Sequence, residues 1–418
     1  MKTYLPTIAL LTFLVLSCGT SKNVVDDLAT NHKILSKIDL SAVENDKVPV
    51  MINPGRFVQD TVFYRLPKVI PGTYAVSDFG NFIENFQAYD YDGNPVAYKK
   101  IDNNSWAIYG ATSLDRISYL VNDTFDVEGG DIPTPFSPTG TNIQADNYVL
   151  NLPGFIGYFD GLRENAYELE VIAPVAFDKT SALPKISEET SDDGNIISTI
   201  YHAERYFEVT DNPMMYGDLD VEEFEVGGIK VVLSVYSPNK LHSAKSLKEA
   251  MYKMMKAQKS YLGEINSTSR YDIYVYLADK TEGSPQGFGA LEHHTSTVVV
   301  MPESMPPASL EKGMIDVVSH EFFHILSPLT VHSEDVHYFD YNDPTFSKHL
   351  WMYEGLTEYF ANLFQVNQGL ISEDEFFSKM LNKINMASRL DDTMSFTVMS
   401  ENILNNPYKA NYINVYQK

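Results

Sequence analysis

The sequence predicts an α+β protein in which a β-sandwich-like N-terminal domain is followed by a mostly α-helical domain. From about residue 34 to residue 210, short runs rich in Val, Ile, Tyr and Phe alternate with turn sequences such as DGNP at 92–95, a spacing typical of β-sandwiches. Beyond that region, apolar residues recur at helical spacing. The 418 residues suffice for two or three domains, and the 44% of hydrophobic residues distinguishes the chain from disordered ones.

The β-rich domain is predicted to cover residues 34–215, where turn sequences separate the runs of β-forming residues. The predicted strands include residues 62–66, 117–121, 166–172, 196–202 and, past a further turn, 229–236.

The second domain, residues 216–418, is predicted to begin with a helix at 242–262, whose apolar side chains recur at roughly helical spacing. Further helices are predicted at 310–326, after an N-cap at Ser309, and at 347–367. The candidate functional residues fall on these last two helices.

The charge of the chain limits the partners that it can bind. With 31 basic and 56 acidic residues, the formal net charge is -25. A surface of that sign repels nucleic acid and anionic lipid headgroups, which argues against both as electrostatic partners. A basic or neutral partner is expected.

The amino terminus has the pattern of an export signal, predicted at residues 1–17. Its apolar run, residues 5–16, is well short of the ~20 residues that span a bilayer. The sequence VLSC at 15–18 resembles a bacterial lipobox, and Cys18, the only cysteine, would be acylated. Residues 18–33 would then tether an exported lipoprotein to a membrane, in the periplasm or at the cell surface. The alternative is an ordinary cleaved signal with an incidental cysteine.

The sequence His320-Glu321-Phe322-Phe323-His324 matches the H-E-x-x-H pattern of zinc sites. On the predicted helix, residues four apart differ by only ~40° in direction and ~6 Å in height, so the imidazoles of His320 and His324 can bind one Zn²⁺. Glu321 points to one side, where a carboxylate can act as general base without filling a coordination position.

A third protein ligand is expected, because catalytic zinc usually has three. Ser327 and Thr330 stand where a metzincin has Gly and His, so that class is excluded. The third ligand is predicted to be Glu354, within LWMYEGLTEYFA at 350–361. Glu358 lies one turn further and would accept the free N–H of a ligating histidine. The alternative makes both carboxylates surface charges.

The chain resembles the glycyl aminopeptidase family of gluzincin zinc metallopeptidases, relatives of the alanyl aminopeptidases. The likeness covers most of the chain after the export signal. Besides the two zinc segments, it rests on RLPKVIPGTY at 65–74 followed by DF at 78–79, DNP at 211–213 and GALEH at 289–293. The resemblance implies a thermolysin-like catalytic domain that holds one Zn²⁺ per chain and acts on peptides with a free N-terminus.

The segment GALEH is similar to the G-G-L-E-H stretch of that family. The resemblance implies that Glu292 binds the α-ammonium of the substrate and that Gly289 and Ala290 contribute to the substrate site. The physical reason is sound, because a carboxylate beside the zinc would pair with a cationic N-terminus and position the first peptide bond. The alternative is a strand-end carboxylate without a ligand. His293 and His294 are predicted at most to line the cleft.

The C-terminal sequence resembles the Y-x-K-G segment whose Tyr, in related aminopeptidases, donates its hydroxyl to the oxyanion. Tyr416 matches that Tyr, and Tyr412 is a second candidate. The matching Gly would be residue 419, and the resemblance also implies a helical remainder and a PDZ domain beyond Lys418. The sequence is therefore expected to be a fragment. The alternative is a native terminus in which Tyr416 has no role.

The substrate preference is implied by the resemblance alone. The resemblance implies a preference for N-terminal Gly or Ala, but ILSPLTVH at 325–332 departs from the W-N-x-K-R-like run that is typical of the family. Two other functions stay open. In the first, the protein is a lipoprotein whose β-rich domain binds a partner, and its metal site is vestigial. In the second, it is a zinc enzyme such as an endopeptidase, which does not require a free N-terminus.

Overall fold

The structure is a computed structural model that describes residues 27–127, 132–281, 283–285, 287–390 and 393–405. The predicted lipobox with Cys18 and the two tyrosines Tyr412 and Tyr416 lie outside the described residues.

The described residues form twenty strands and seven α-helices. The strands are β1 (Ile34–Asp39), β2 (Lys47–Asn53), β3 (Thr61–Arg65), β4 (Ile83–Asp90), β5 (Tyr98–Lys100), β6 (Ser105–Tyr109), β7 (Leu114–Asn122), β8 (Asn142–Gln144), β9 (Asn147–Leu150), β10 (Tyr158–Phe159), β11 (Tyr167–Pro174), β12 (Asp178–Ser181), β13 (Lys185–Thr190), β14 (Ile196–Ala203), β15 (Met214–Gly217), β16 (Asp220–Val226), β17 (Ile229–Tyr236), β18 (Arg270–Ala278), β19 (Gly289–Glu292) and β20 (Ser296–Pro302). The helices are α1 (Tyr206–Thr210), α2 (Ala244–Leu262), α3 (Pro307–Phe323), α4 (Glu334–His337), α5 (Leu350–Asn367), α6 (Glu373–Ala387) and α7 (Phe396–Glu401).

The first half of the chain forms three sheets. The largest has seven strands in the order β13-β14-β11-β1-β2-β7-β4, and two four-stranded sheets have the orders β10-β3-β6-β5 and β12-β15-β9-β8. Strands such as β11 alternate between buried and partly exposed residues, because successive side chains of a strand point to opposite faces. The buried faces enclose a core rich in aromatic rings, in which Phe86 stacks on Trp106 with ring centroids 4.9 Å apart.

The second half is built on a five-stranded sheet with the order β16-β17-β18-β20-β19. Strands β17, β18 and β20 are parallel, and β18 is buried along nearly its whole length, as expected for a central parallel strand covered on both faces. Helices α2, α3 and α5 share one hydrophobic core with this sheet, through residues such as Met251, Phe322 and Phe364. Among the described strands β19 pairs only with β20, so its other edge, which we call the free edge, carries no further described strand.

The predicted fold class is confirmed, since a β-rich first half precedes a largely helical second half. The predicted strands correspond to β3, β7, β11, β14 and β17. The prediction for α3 was wrong at both ends. This helix begins at Pro307 after Pro306, because proline fits the first helical positions, and its last residue is Phe323. None of the helices in the described part of the chain is both long enough and apolar enough to cross a bilayer.

Candidate active site

Helices α3 and α5 bring together His320, His324 and Glu354, all of which are buried. The Nε2 atoms of the two histidines are 3.1 Å apart, and they lie 3.5 Å and 3.6 Å from Glu354 Oε2. Ligand atoms placed tetrahedrally at ~2.05 Å from a zinc ion would be ~3.3 Å apart. The three atoms therefore have the spacing that one zinc ion requires.

The atoms of these side chains that face away from the centre are fixed by other groups. His320 Nδ1 donates to Glu358 Oε2 at 2.7 Å, and His324 Nδ1 donates to the carbonyl of Ser327 at 2.9 Å. The hydroxyl of Tyr74 donates to Glu354 Oε1. Glu354 Oε2 is buried and accepts no hydrogen bond from the described residues. An unsatisfied buried carboxylate oxygen facing two imidazoles fits a cation held between them.

Glu358 is held in place from two further sides. Asn362 Nδ2 donates to Glu358 Oε1 at 3.0 Å, and Lys383 forms an ion pair with the same carboxylate. Burial alone would raise the pKa of Glu358, but the hydrogen bond from His320 and the charge of Lys383 lower that pKa to about 2. Glu358 is therefore ionised at neutral pH and keeps the His320 ring in one orientation.

The centre is rich in carboxyl groups. Burial disfavours the charged form of His320, but Glu354 and Glu358 outweigh that effect and raise its pKa well above the ordinary value. Burial raises the pKa of Glu321 well above its usual range, opposed by His320 and reinforced by Glu292 and Glu354. Several carboxylates thus surround two imidazoles in a water-poor environment, which favours the binding of a divalent cation.

Glu292, at the end of the edge strand β19, lies beside this centre. Carboxylate oxygens of Glu292 and Glu321 and a ring nitrogen of His324 are all within 4.8 Å of one another. Gly72, which has φ 84°, lies against Glu292, and a Cβ at that position would be only 2.7 Å and 2.8 Å from its carboxylate oxygens. The backbone of the first half of the chain therefore closes one side of the Glu292 carboxylate, and a side chain at position 72, besides its unfavourable φ, would push that carboxylate aside.

Two cavities meet at Glu292. The first has a volume of about 380 Å³ and a mainly apolar wall, and the second, of about 790 Å³, is lined by Gly289, Ala290, His320 and Glu321. Glu292 lines both cavities, as do Gly72 and Tyr74. The candidate metal centre and the edge strand therefore open into a cleft with two compartments.

Residues 36–218 match the family described as Peptidase M61 N-terminal domain, and residues 313–417 match M61 glycyl aminopeptidase. The chain belongs to the M61 glycyl aminopeptidase family. The family predicted from the sequence is thus confirmed. A comparison with curated proteins found no match.

Two solved structures show the same fold as this member of the glycyl aminopeptidase family. The first is an aminopeptidase N family protein from Idiomarina loihiensis, with 20% identity and a TM-score of 0.73 over 89% of this chain. The chain spans 61% of the length of that protein. The second is an M1 zinc metallopeptidase from Deinococcus radiodurans, with 10% identity and a TM-score of 0.50 over 93% of this chain and 80% of that one.

The contact of Tyr74 with Glu354 in this glycyl aminopeptidase family member was not predicted from the sequence. Tyr74 belongs to the P-G-x-Y segment, which served only as a sign of the family, and it lies 280 positions before Glu354. No local spacing connects residues so far apart. The P-G-x-Y likeness was the one available signal.

Asp211 is a second residue whose contacts the sequence did not reveal. Its carboxylate accepts from His294 Nδ1 at 3.0 Å and lies 3.4 Å from His293 Nδ1, while His294 Nε2 donates to the carbonyl of Leu329 at 2.8 Å. Since both partners of the His294 ring are acceptors, the imidazolium form is favoured. Burial lowers the pKa of His294, but Asp211 outweighs burial and raises it. His293 and His294 line the first cavity.

Proposed function

We propose that this protein is a zinc-dependent aminopeptidase, which hydrolyses the N-terminal residue from peptides. The observation that carries the proposal is the convergence of His320 Nε2, His324 Nε2 and Glu354 Oε2 beside the carboxylates of Glu321 and Glu292. Membership of the glycyl aminopeptidase family supports the same activity.

The three ligands would hold one Zn²⁺, which when bound supplies a Lewis acid that polarises the peptide carbonyl and lowers the pKa of water from 15.7 towards ~7. Glu321 would accept the proton of the attacking water and pass it to the departing amine. Glu292 would bind the α-ammonium, so that only the first peptide bond reaches Glu321. Tyr74 and Glu358 would keep the ligands oriented.

Several finer features belong to the proposal. Tyr416, or alternatively Tyr412, would donate a hydrogen bond to the oxyanion, and Gly289 and Ala290 would bind the substrate backbone. Acylation of Cys18 would anchor the exported protein to a membrane. The preference for N-terminal Gly or Ala, implied by the family resemblance, is tested by the substrate series described below.

The general base is tested with Glu321→Gln. This variant should retain about one zinc per chain, because the substitution removes none of the three zinc ligands, and should lose cleavage of aminoacyl amides by ~10³-fold or more. Zinc is measured by atomic emission and cleavage by release of a fluorescent amine. Activity close to wild type would remove Glu321 from this role. A wild-type protein with no zinc after incubation with the metal would favour the partner-binding lipoprotein instead.

The exopeptidase assignment has its own test, since N-acetylation removes the positive charge that Glu292 would pair with. N-acetylation of a peptide should abolish its cleavage. Equal rates for acetylated and free peptides would assign the protein to endopeptidases and exclude Glu292 as the ammonium site.

A further inference from the structure

The direction of a bound peptide follows from the positions of Glu292 and the free edge of β19. An extended peptide can pair with that edge as an added strand. If its ammonium lies at Glu292, at the C-terminal end of β19, the peptide runs antiparallel to β19 and passes Ala290 and then Gly289. Both residues line the second cavity together with Glu321. The residues after the scissile bond therefore occupy the second cavity, and the first side chain faces the other one.

The first cavity, which we call the apolar cavity, is large for a glycine or alanine side chain. Its apolar lining residues include Ile70, Phe207, Leu329, Val336, Phe339 and Phe346. Its volume of about 380 Å³ is more than twice that of the ~150 Å³ engineered cavity that accommodates benzene. A glycine would leave this space to water with few polar partners, whereas an apolar side chain would displace that water favourably.

The charged groups on the wall of the apolar cavity already have partners. Asp211 binds the two histidines, Glu208 accepts from the backbone N–H of Arg205 at 2.8 Å, and Asp335 accepts from the Thr345 hydroxyl at 2.8 Å. These contacts use part of the acceptor capacity of each carboxylate, so a lysine or arginine side chain of the substrate would lose hydration there and gain only shared, not dedicated, ion pairs.

We propose that the apolar cavity binds the side chain of the substrate's N-terminal residue and that the enzyme prefers a large apolar residue, such as Leu or Phe, at that position. This inference rests on the proposed aminopeptidase function. It differs from the Gly or Ala preference that the family resemblance implies, and one series of substrates decides between the two.

The experiment compares kcat/KM of the zinc-loaded protein for Gly, Ala, Leu, Phe and Lys aminomethylcoumarin amides. Leu or Phe should exceed Gly by ~10- to 100-fold, because full burial of such a side chain changes affinity by about that factor. Equal or higher values for Gly, Ala or Lys would overturn this inference and leave the aminopeptidase function intact. If none of the amides is cleaved, the aminopeptidase function itself fails.

A filling variant tests the cavity directly. Val336 packs beside Tyr74 and Leu350 on the wall, so Val336→Phe should lower the ratio of kcat/KM for Phe over Gly substrates by ~10-fold. Val331→Phe is the matched control, because Val331 is 69% exposed on the same segment and does not line the cavity. A folded Val336→Phe protein, as judged by its thermal transition, with the wild-type ratio would overturn the inference.

Binding can also be measured without turnover. In the Glu321→Gln variant, isothermal titration should give at least ~10-fold tighter binding of Phe amide than of Gly amide, since the side chain is buried in the ground state as well. Equal affinities would show that the side chain does not enter the apolar cavity and would overturn the inference.

Discussion

Replacing Tyr74 by Phe removes a single hydroxyl from the candidate metal centre and leaves the packing of the ring in place. Tyr74 is 7% exposed and lies against Leu350 and Tyr353, so the Phe ring keeps the same neighbours. The hydroxyl donates to Glu354 Oε1 and leaves Oε2 directed at the two imidazoles. The variant therefore changes the state of one carboxylate and little else.

The size of the effect follows from the burial of that carboxylate. Burial raises the pKa of Glu354, but His324, His320 and Tyr74 together hold it below the ordinary value. Without the hydroxyl, protonated or rotated forms of the Glu354 side chain become more favourable. Zinc binds only the ionised and correctly oriented carboxylate, so part of its binding free energy is spent on converting these forms. A hydrogen bond to a charged group contributes ~1.5–3 kcal/mol, so the affinity for zinc should fall by ~10- to 100-fold.

The assay is competition for zinc against a chelator of known affinity, which reports the dissociation constant without turnover. Tyr359→Phe is the matched control, because Tyr359 lies on the same helix as Glu354 and is 45% exposed. The control should bind zinc as wild type does. A Tyr74→Phe dissociation constant within about twofold of wild type would refute the reasoning that this hydroxyl orients the third ligand.

Two other predictions concern the contacts around Glu292 and Asp211. Gly72→Ala should lower kcat/KM at least ~10-fold by displacing Glu292. Gly93→Ala is the control, because Gly93 has nearly the same φ of 83° but open space around it, so this variant should lose only stability, by ~1–2 kcal/mol. Equal effects of the two variants on kcat/KM would contradict this prediction. In the folded protein the pKa of Asp211 is lowered and the pKa of His294 is raised, so their ion pair stabilises the fold between the two pKa values. This stability should be lost as pH falls through the folded pKa of Asp211, below 3.8, and also as pH rises through the folded pKa of His294, above 6.5. Denaturant unfolding across pH should show that His294→Asn removes the alkaline decline, and an unchanged profile would contradict the pairing.

The parts of the site that can be predicted from the sequence depend on local periodicity. The geometry of His320 and His324 follows from the repeat of one helix, and the relation of Glu354 to Glu358 follows from that of another. The strands could also be predicted from the sequence, because turn residues separate runs of β-forming residues. In each of these cases the informative residues are neighbours in the chain.

The parts that could not be predicted depend on contacts between distant segments. The contact of Gly72 with Glu292 and the hydrogen bond from Tyr74 to Glu354 join residues more than 200 positions apart. The start of α3 was misassigned for a different reason, because Ser309 is a good N-cap but two prolines before it already fix a helical start. Cavity size is likewise set by the packing of many segments and leaves no local pattern.

The distant contacts have a thermodynamic consequence for the candidate site. Gly72 and Tyr74 belong to the first half of the chain, yet one closes the Glu292 carboxylate and the other orients Glu354. If the contact of Tyr74 raises the affinity of the centre for zinc, then zinc must stabilise that contact by the same free energy, because the two equilibria are linked. Metal binding would thus hold the P-G-x-Y segment against the cleft, and the site that recognises the substrate's amine would be complete only when the metal ligands are in place.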